Sequence, residues 1–164
     1  MDLIAQYEIP FLHPLAVHFP LVLILLGAGA AGLYLVLGRA GWRQAGLILF
    51  VLGTVSAWVA QETGHALENA VEGDPIVEEV VERHEAGAEW TIWTSALAAV
   101  AFGVVSAARL RRPKPVEDGE EAPPPRKREP LWGRLLVVLP AVLAAALVAW
   151  TAHLGGIMVW GVPR

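Results

Sequence analysis

HPLAVHFPLVLILLGAGAAGLYLVL, residues 13–37, decides the fold. From Leu15 to Leu37 this stretch carries no Asp, Glu, Lys or Arg. A helix of that length crosses a hydrocarbon core of about 30 Å. Three further runs follow: Ala45–Ala60, extended toward Trp42 and Glu62, then Trp90–Ala108 and Leu135–Leu154. A soluble core can hide one such run, but four in a chain of 164 residues call for lipid. The hydrophobic share of 55% and mean hydropathy of +0.52 agree. The spacing therefore predicts an all-α membrane protein, an antiparallel four-transmembrane-helix bundle with spans at about 14–37, 42–62, 86–109 and 132–154. The segment 63–85 reads as an acidic outer helical loop, and 110–131, rich in Pro and charge, as a disordered cytoplasmic linker.

Charge sets the expected orientation. Ten of the twelve Lys and Arg lie at Arg39, Arg43 and from Arg109 to Arg134, which leaves only Arg83 and Arg164 on the opposite side. Basic connections stay in the cytoplasm. Both termini and the loop from Glu62 to Glu89 are then expected outside a bacterial cytoplasmic membrane. The first run is expected to be retained, because MDLIAQYEIP lacks the basic start of a cleaved signal. Tyr34, Trp42 and Trp132 are expected at the inner boundary, and Trp58, Trp90, Trp93 and Trp150 at the outer one. The basic stretch PPPRKRE reads as a lipid-facing charge cluster, and a net charge of −4 gives no nucleic-acid signal.

Local signals predict breaks. Pro14 opens helix 1, Pro20 kinks it, and Pro140 kinks the last helix. Gly64 reads as the stop of the second helix, and Gly155–Gly156 as the stop of the fourth. Asp74–Pro75 reads as the N-cap and first residue of a helix that continues into span 3. Small residues predict the packing faces: Gly46, Gly53 and Ala60 in span 2, and Ala99, Gly103 and Ala107 in span 3.

All five histidines fall at the outer edge. Singly, an interfacial imidazole is a hydrogen-bonded structural residue. As a group they point to a redox or metal site. His18, placed on a face with Val22, Leu25, Gly29 and Gly32, is expected to point inward. His153, ending the series Ala141, Ala145, Ala149, is expected to do the same, and so is His84, which leads to Ala88, Thr91 and Ser95. His18 and His153 at matched depth suit the axial ligands of haem b, with Trp58, Trp93 and Trp150 walling the slot. His84, with His65, forms a second candidate pair. His65, Glu62, Glu68, His84 and Glu85 also suit a transition metal such as Zn, Cu, Fe or Mn. His13 reads as a capping or solvated residue that remains a possible ligand. The absence of cysteine excludes disulfides, Fe–S thiolate clusters and covalent c-type haem. No nucleophile–base constellation is visible, so an independent hydrolase is disfavoured.

HPLAVHFPLVLILL, TGHALENAVEGDP, ERHEAGAEW and LGGIMVWGV together resemble a family of small bacterial membrane proteins called domain of unknown function 2231. The resemblance implies four helices. Some members resembling this pattern are joined to Rieske-type domains, which implies electron transfer by analogy. The tail Val159–Trp160–Gly161 departs from the histidine-bearing tail of the family, so no ligand is carried over there. The function expected is electron transfer by a haem b membrane protein. Its partners would be the lipid bilayer, a quinol or an outer cytochrome, and a second copy or a larger redox complex. The alternatives are a histidine/carboxylate metal-binding protein and a cofactor-free assembly subunit.

Overall fold

The computed structural model describes residues 12–71, 75–110 and 131–161. Five helices run α1 (His13–Ala16), α2 (His18–Leu37), α3 (Ala40–Val71), α4 (Pro75–Leu110) and α5 (Leu131–Trp160). Four of them are long and apolar enough to cross a membrane, with α1 continuing into α2. Each long helix packs on two neighbours, in the cycle α2, α3, α4, α5 and back to α2. The chain is a multi-pass membrane protein built as a four-helix bundle. At 1.5 Å per residue, α3 and α4 extend roughly 48 and 54 Å, well beyond a core of about 30 Å. Both therefore project past the bilayer at the end that carries the histidines.

The surface explains the solvent. Leu15, Phe19, Leu26, Val36, Leu97, Val100 and Leu139 all lie exposed on the bundle exterior. An apolar belt of this extent needs lipid to cover it. The core consists of Ile24, Tyr34, Phe50, Ala98, Phe102, Val137, Ala141 and Ala144. Phe50 stacks on Phe102 with ring centres 5.9 Å apart. Gly46 makes room for that ring: a Cβ there would collide with Phe102. This is the small-residue packing expected for Gly46, Gly53 and Ala60, all of which are buried.

Several breaks differ from expectation. Gly64 does not stop its helix, because α3 continues to Val71. Gly155 and Gly156 lie within α5, which ends at Trp160 before the left-handed Gly161. Inside a bundle, tertiary contacts override the low helix propensity of glycine. Where a kink near Pro20 is expected, the helix is interrupted at Val17, which separates α1 from α2. Pro20 has no N–H to offer the Ala16 carbonyl, so the ladder opens there. Pro140 sits within a continuous α5, and α4 starts at Pro75 as expected. The cap expected of Asp74 and the linker 111–130 lie outside the described residues.

One packing face and one belt residue are also corrected. Gly103 has open space beside it and Ala107 is exposed. The buried face of α4 runs instead through Thr91, Ser95, Ala98 and Phe102. Tyr34 is no belt residue either, being fully buried with its ring 6.5 Å from Phe102.

The opposite end of the bundle holds arginines. Gly38 ends α2 in the left-handed region (φ 62°), donating its N–H to the Tyr34 carbonyl. Arg134 Nη1 of α5 donates to the Leu35 carbonyl at 2.8 Å. A cation there answers both the open carbonyls and the negative end of the helix dipole. Arg43 Nε donates to Ser106 Oγ at 3.1 Å, tying α3 to α4.

Candidate functional site

Helical periodicity explains which histidines enter the bundle. The buried stripe of α2 is Pro20, Ile24, Gly27, Ala31 and Tyr34. At 100° per residue, His18 lies about 200° from Pro20. Its side chain is exposed, with Nδ1–H donating to the Pro14 carbonyl at 2.6 Å. The buried stripe of α5 runs Val137, Ala141, Ala144, Val148, Thr151. His153 lies about 120° from Ala141 and is exposed, with its ring 6.2 Å from the Trp150 ring. The expectation that His18 and His153 point inward is therefore corrected. For His153 the cause is that a series stepped strictly by four drifts 40° per step and walks off the face it started on; for His18 it is that the face shared with Val22, Leu25 and Gly29 is the exposed face of α2. Trp58, Trp93 and Trp150 are exposed as well, so they wall no internal slot.

Two imidazoles do come together. His84 extends the buried stripe of α4 by one turn before Gly87 and Thr91, and it is half-buried, as its face predicted. His13, expected to be a cap or solvated, is half-buried against α3. The ring centres of His13 and His84 are 6.4 Å apart, with planes at 80°. His13 Nδ1–H donates to the Ala60 carbonyl at 2.9 Å and lies 3.1 Å from Thr63 Oγ1. His84 Nδ1–H donates to the Thr151 carbonyl at 2.9 Å. A carbonyl can only accept, so each ring carries its proton on Nδ1 and keeps the lone pair on Nε2. That is the tautomer of a metal-ligating histidine held by an outer hydrogen bond.

The backbone is notched to admit these rings. A Cβ at Gly64 would lie 3.1 Å from His13 Cε1, and one at Gly155 would lie 3.3 Å from His84 Cε1. Both glycines therefore serve close approach rather than helix termination. Gly87 gives similar room to Thr151, whose hydroxyl is buried without a hydrogen-bond partner among the described residues. Thr63, Thr91 and Thr151 are each nine-tenths buried or more, so the neighbourhood of the pair is polar as well as close-packed.

A second group lies next to this pair along α4. His65 Nε2 approaches Glu85 Oε1 at 3.6 Å, and Glu68 lies beside Glu85. His65 thus faces Glu85 of α4, while Glu62 is exposed on α3. Among the described residues, no three His, Asp or Glu gather to hold a metal ion.

The pair draws on every stretch that carried the family resemblance: His13 from HPLAVHFP, Thr63–Gly64 from TGHALEN, His84 and Gly87 from ERHEAGAEW, and Gly155 from LGGIM. The site residue whose burial sequence reasoning missed is His13, which stands on the single turn of α1 and is placed by its contacts with Ala60 and Thr63 of α3. No curated protein and no solved structure matches the chain. A family model described as a predicted membrane protein, DUF2231, matches residues 9–162, and the chain belongs to that family.

Proposed function

We propose that the protein binds haem b between His13 and His84 and serves electron transfer at the outer face of the bacterial cytoplasmic membrane. The observation that carries this reading is the pairing of two imidazoles from different helices, their ring centres 6.4 Å apart, each with Nδ1–H on a carbonyl and its lone pair on Nε2. The donor set favours haem over a bare ion. A transition metal held by protein alone takes about four ligands. Two imidazoles fall short of that, whereas a porphyrin brings four nitrogens of its own and needs only the axial pair. Bound there, haem would supply a one-electron couple. The chain's part is to hold both Nε2 lone pairs in place and keep the rings from rotating. A visible spectrum of the purified protein tests it: a Soret band should sharpen and shift on reduction, as six-coordinate haem does. Colourless protein from haem-replete cells overturns the reading.

Orientation belongs to the same proposal. The arginine end faces the cytoplasm and the histidine end faces outward, on the asymmetry of Lys and Arg. Reporter fusions at Glu120 should score cytoplasmic and those at Glu72 external. The reverse pattern would put the site on the wrong side.

A further inference from the structure

We infer that the junction of α2, α3 and α5 at the arginine end binds the phosphate group of an anionic phospholipid. The inference rests on the membrane bundle alone and is independent of the haem reading.

Arg134 carries the argument. It stands in the first turn of α5 and crosses to the end of α2, where Nη1 donates to the Leu35 carbonyl. A guanidinium has five N–H donors and stays charged. Among the described residues that carbonyl fills one of them. Nε is sealed off without a partner, whereas Nη2 is neither bonded nor sealed. Nη2 lies over Gly38, 2.7 Å from where a Cβ would stand, and the next residue in the chain is Arg39, which is exposed. Two arginines thus meet at the turn between α2 and α3. Residues 29–50, 97–110 and 131–141, the described part of this end, include no Asp or Glu. A half-buried cation without a counter-ion is unfavourable, so the site calls for an anion.

The surroundings make that anion a lipid. Val36 and Leu37 of α2, with Leu131 and Leu135 of α5, lie within three residues of the contact and are exposed on the lipid-facing surface. Apolar walls beside the cations suit a ligand with a charge at one end and acyl chains below it. A phosphodiester accepts paired hydrogen bonds from a guanidinium fork. Basic pockets between helix ends take up anionic lipid headgroups in this way. A soluble phosphate gains nothing from the walls, and neither does the chain's own acidic stretch VEDGEE, residues 116–121. A choline headgroup brings a cation of its own into the field of both arginines.

The test titrates full-length protein in maltoside detergent with dioleoyl phosphatidylglycerol or dioleoyl phosphatidylcholine, read by native mass spectrometry. The chains are identical, so the difference reports the headgroup. Phosphatidylglycerol should bind about fivefold more tightly or better. Arg134→Gln should abolish that preference, and Arg134→Lys, which keeps the charge without the fork, should restore part of it. Arg39→Gln changes an exposed side chain outside the core and should cut the preference several-fold, so the test survives if Arg134→Gln fails to fold. Lys127→Gln removes a linker charge and should change nothing; an equal loss there makes the preference a diffuse charge effect and overturns the proposal. Equal binding of both lipids, or a preference indifferent to Arg39→Gln and Arg134→Gln, overturns it too. So does displacement of phosphatidylglycerol by millimolar inorganic phosphate, which assigns the arginines to a soluble anion. A preference that emerges only once Glu117, Asp118, Glu120 and Glu121 are neutralised assigns them to the linker, with the same consequence.

Discussion

His13→Ala or His84→Ala removes the haem band, while His18→Ala and His153→Ala leave it. This is the largest effect expected of any single substitution in the chain. Axial ligation by two imidazoles is cooperative, since a porphyrin held by one nitrogen in an open bundle loses both its geometry and much of its affinity. The partners of the two rings come from different helices, so neither can stand in for the other. His13 is anchored on α3 through Ala60, and His84 on α5 through Thr151. The exposed pair gives the internal control. Among the described residues His18 bonds the Pro14 carbonyl of its own segment, and His153 borders Trp150 at the surface. Haem-stained gels and pyridine haemochrome content on all four variants check the outcome. Loss of haem from His18→Ala and retention in His13→Ala would return the site to the bundle exterior. Retention in all four would remove histidine ligation altogether.

The architecture was legible because lipid makes the pattern extreme. Four runs without charge, ended by Arg, Glu and Trp, admit little besides four helices. The site was half legible. His84 sits on a stripe with Thr91 and Ser95, and the structure buries that stripe. His153 ends a row stepped by four, Ala141, Ala145 and Ala149, which drifts, whereas the real stripes alternate steps of four and three, as in Val137, Ala141, Ala144, Val148 and Thr151. His18 does alternate four and three with Val22, Leu25, Gly29 and Gly32, but that face of α2 looks outward, and its glycines have open space beside them. His13 was beyond reach of periodicity because it stands on a single turn, α1, before the break at Val17. Its direction depends on how that turn docks against Ala60 and Thr63, which is a tertiary fact. Gly64 and Gly155 misled for a related reason. Near a helix end in sequence, glycine signals a stop. In a bundle it equally signals that a ring from a neighbouring helix lies against the backbone.

That second meaning of glycine gives the other large effect. Gly155→Val should empty the haem site by about tenfold or more, which corresponds to about 1.4 kcal/mol of binding. A Cβ at Gly155 stands 3.3 Å from His84 Cε1 and 3.7 Å from its Nδ1. Alanine needs the ring to yield only a few tenths of an ångström, so Gly155→Ala should keep most of the haem. Valine adds two methyls on a stiff, branched carbon. The imidazole must then swing, and it gives up the Thr151 carbonyl that fixes its tautomer. Gly64→Val attacks the other ring in the same way, from 3.1 Å. Gly156→Val is the matched control, because nothing lies within 4 Å of the Cβ it would carry. Haem content normalised to helical circular dichroism separates site loss from unfolding. Two notches on different helices with one phenotype, beside a silent neighbour, would be hard to obtain unless both rings serve one ligand. If Gly155→Val and Gly64→Val bind haem as the parent does, the rings of His13 and His84 are not its ligands, whatever colour the protein has.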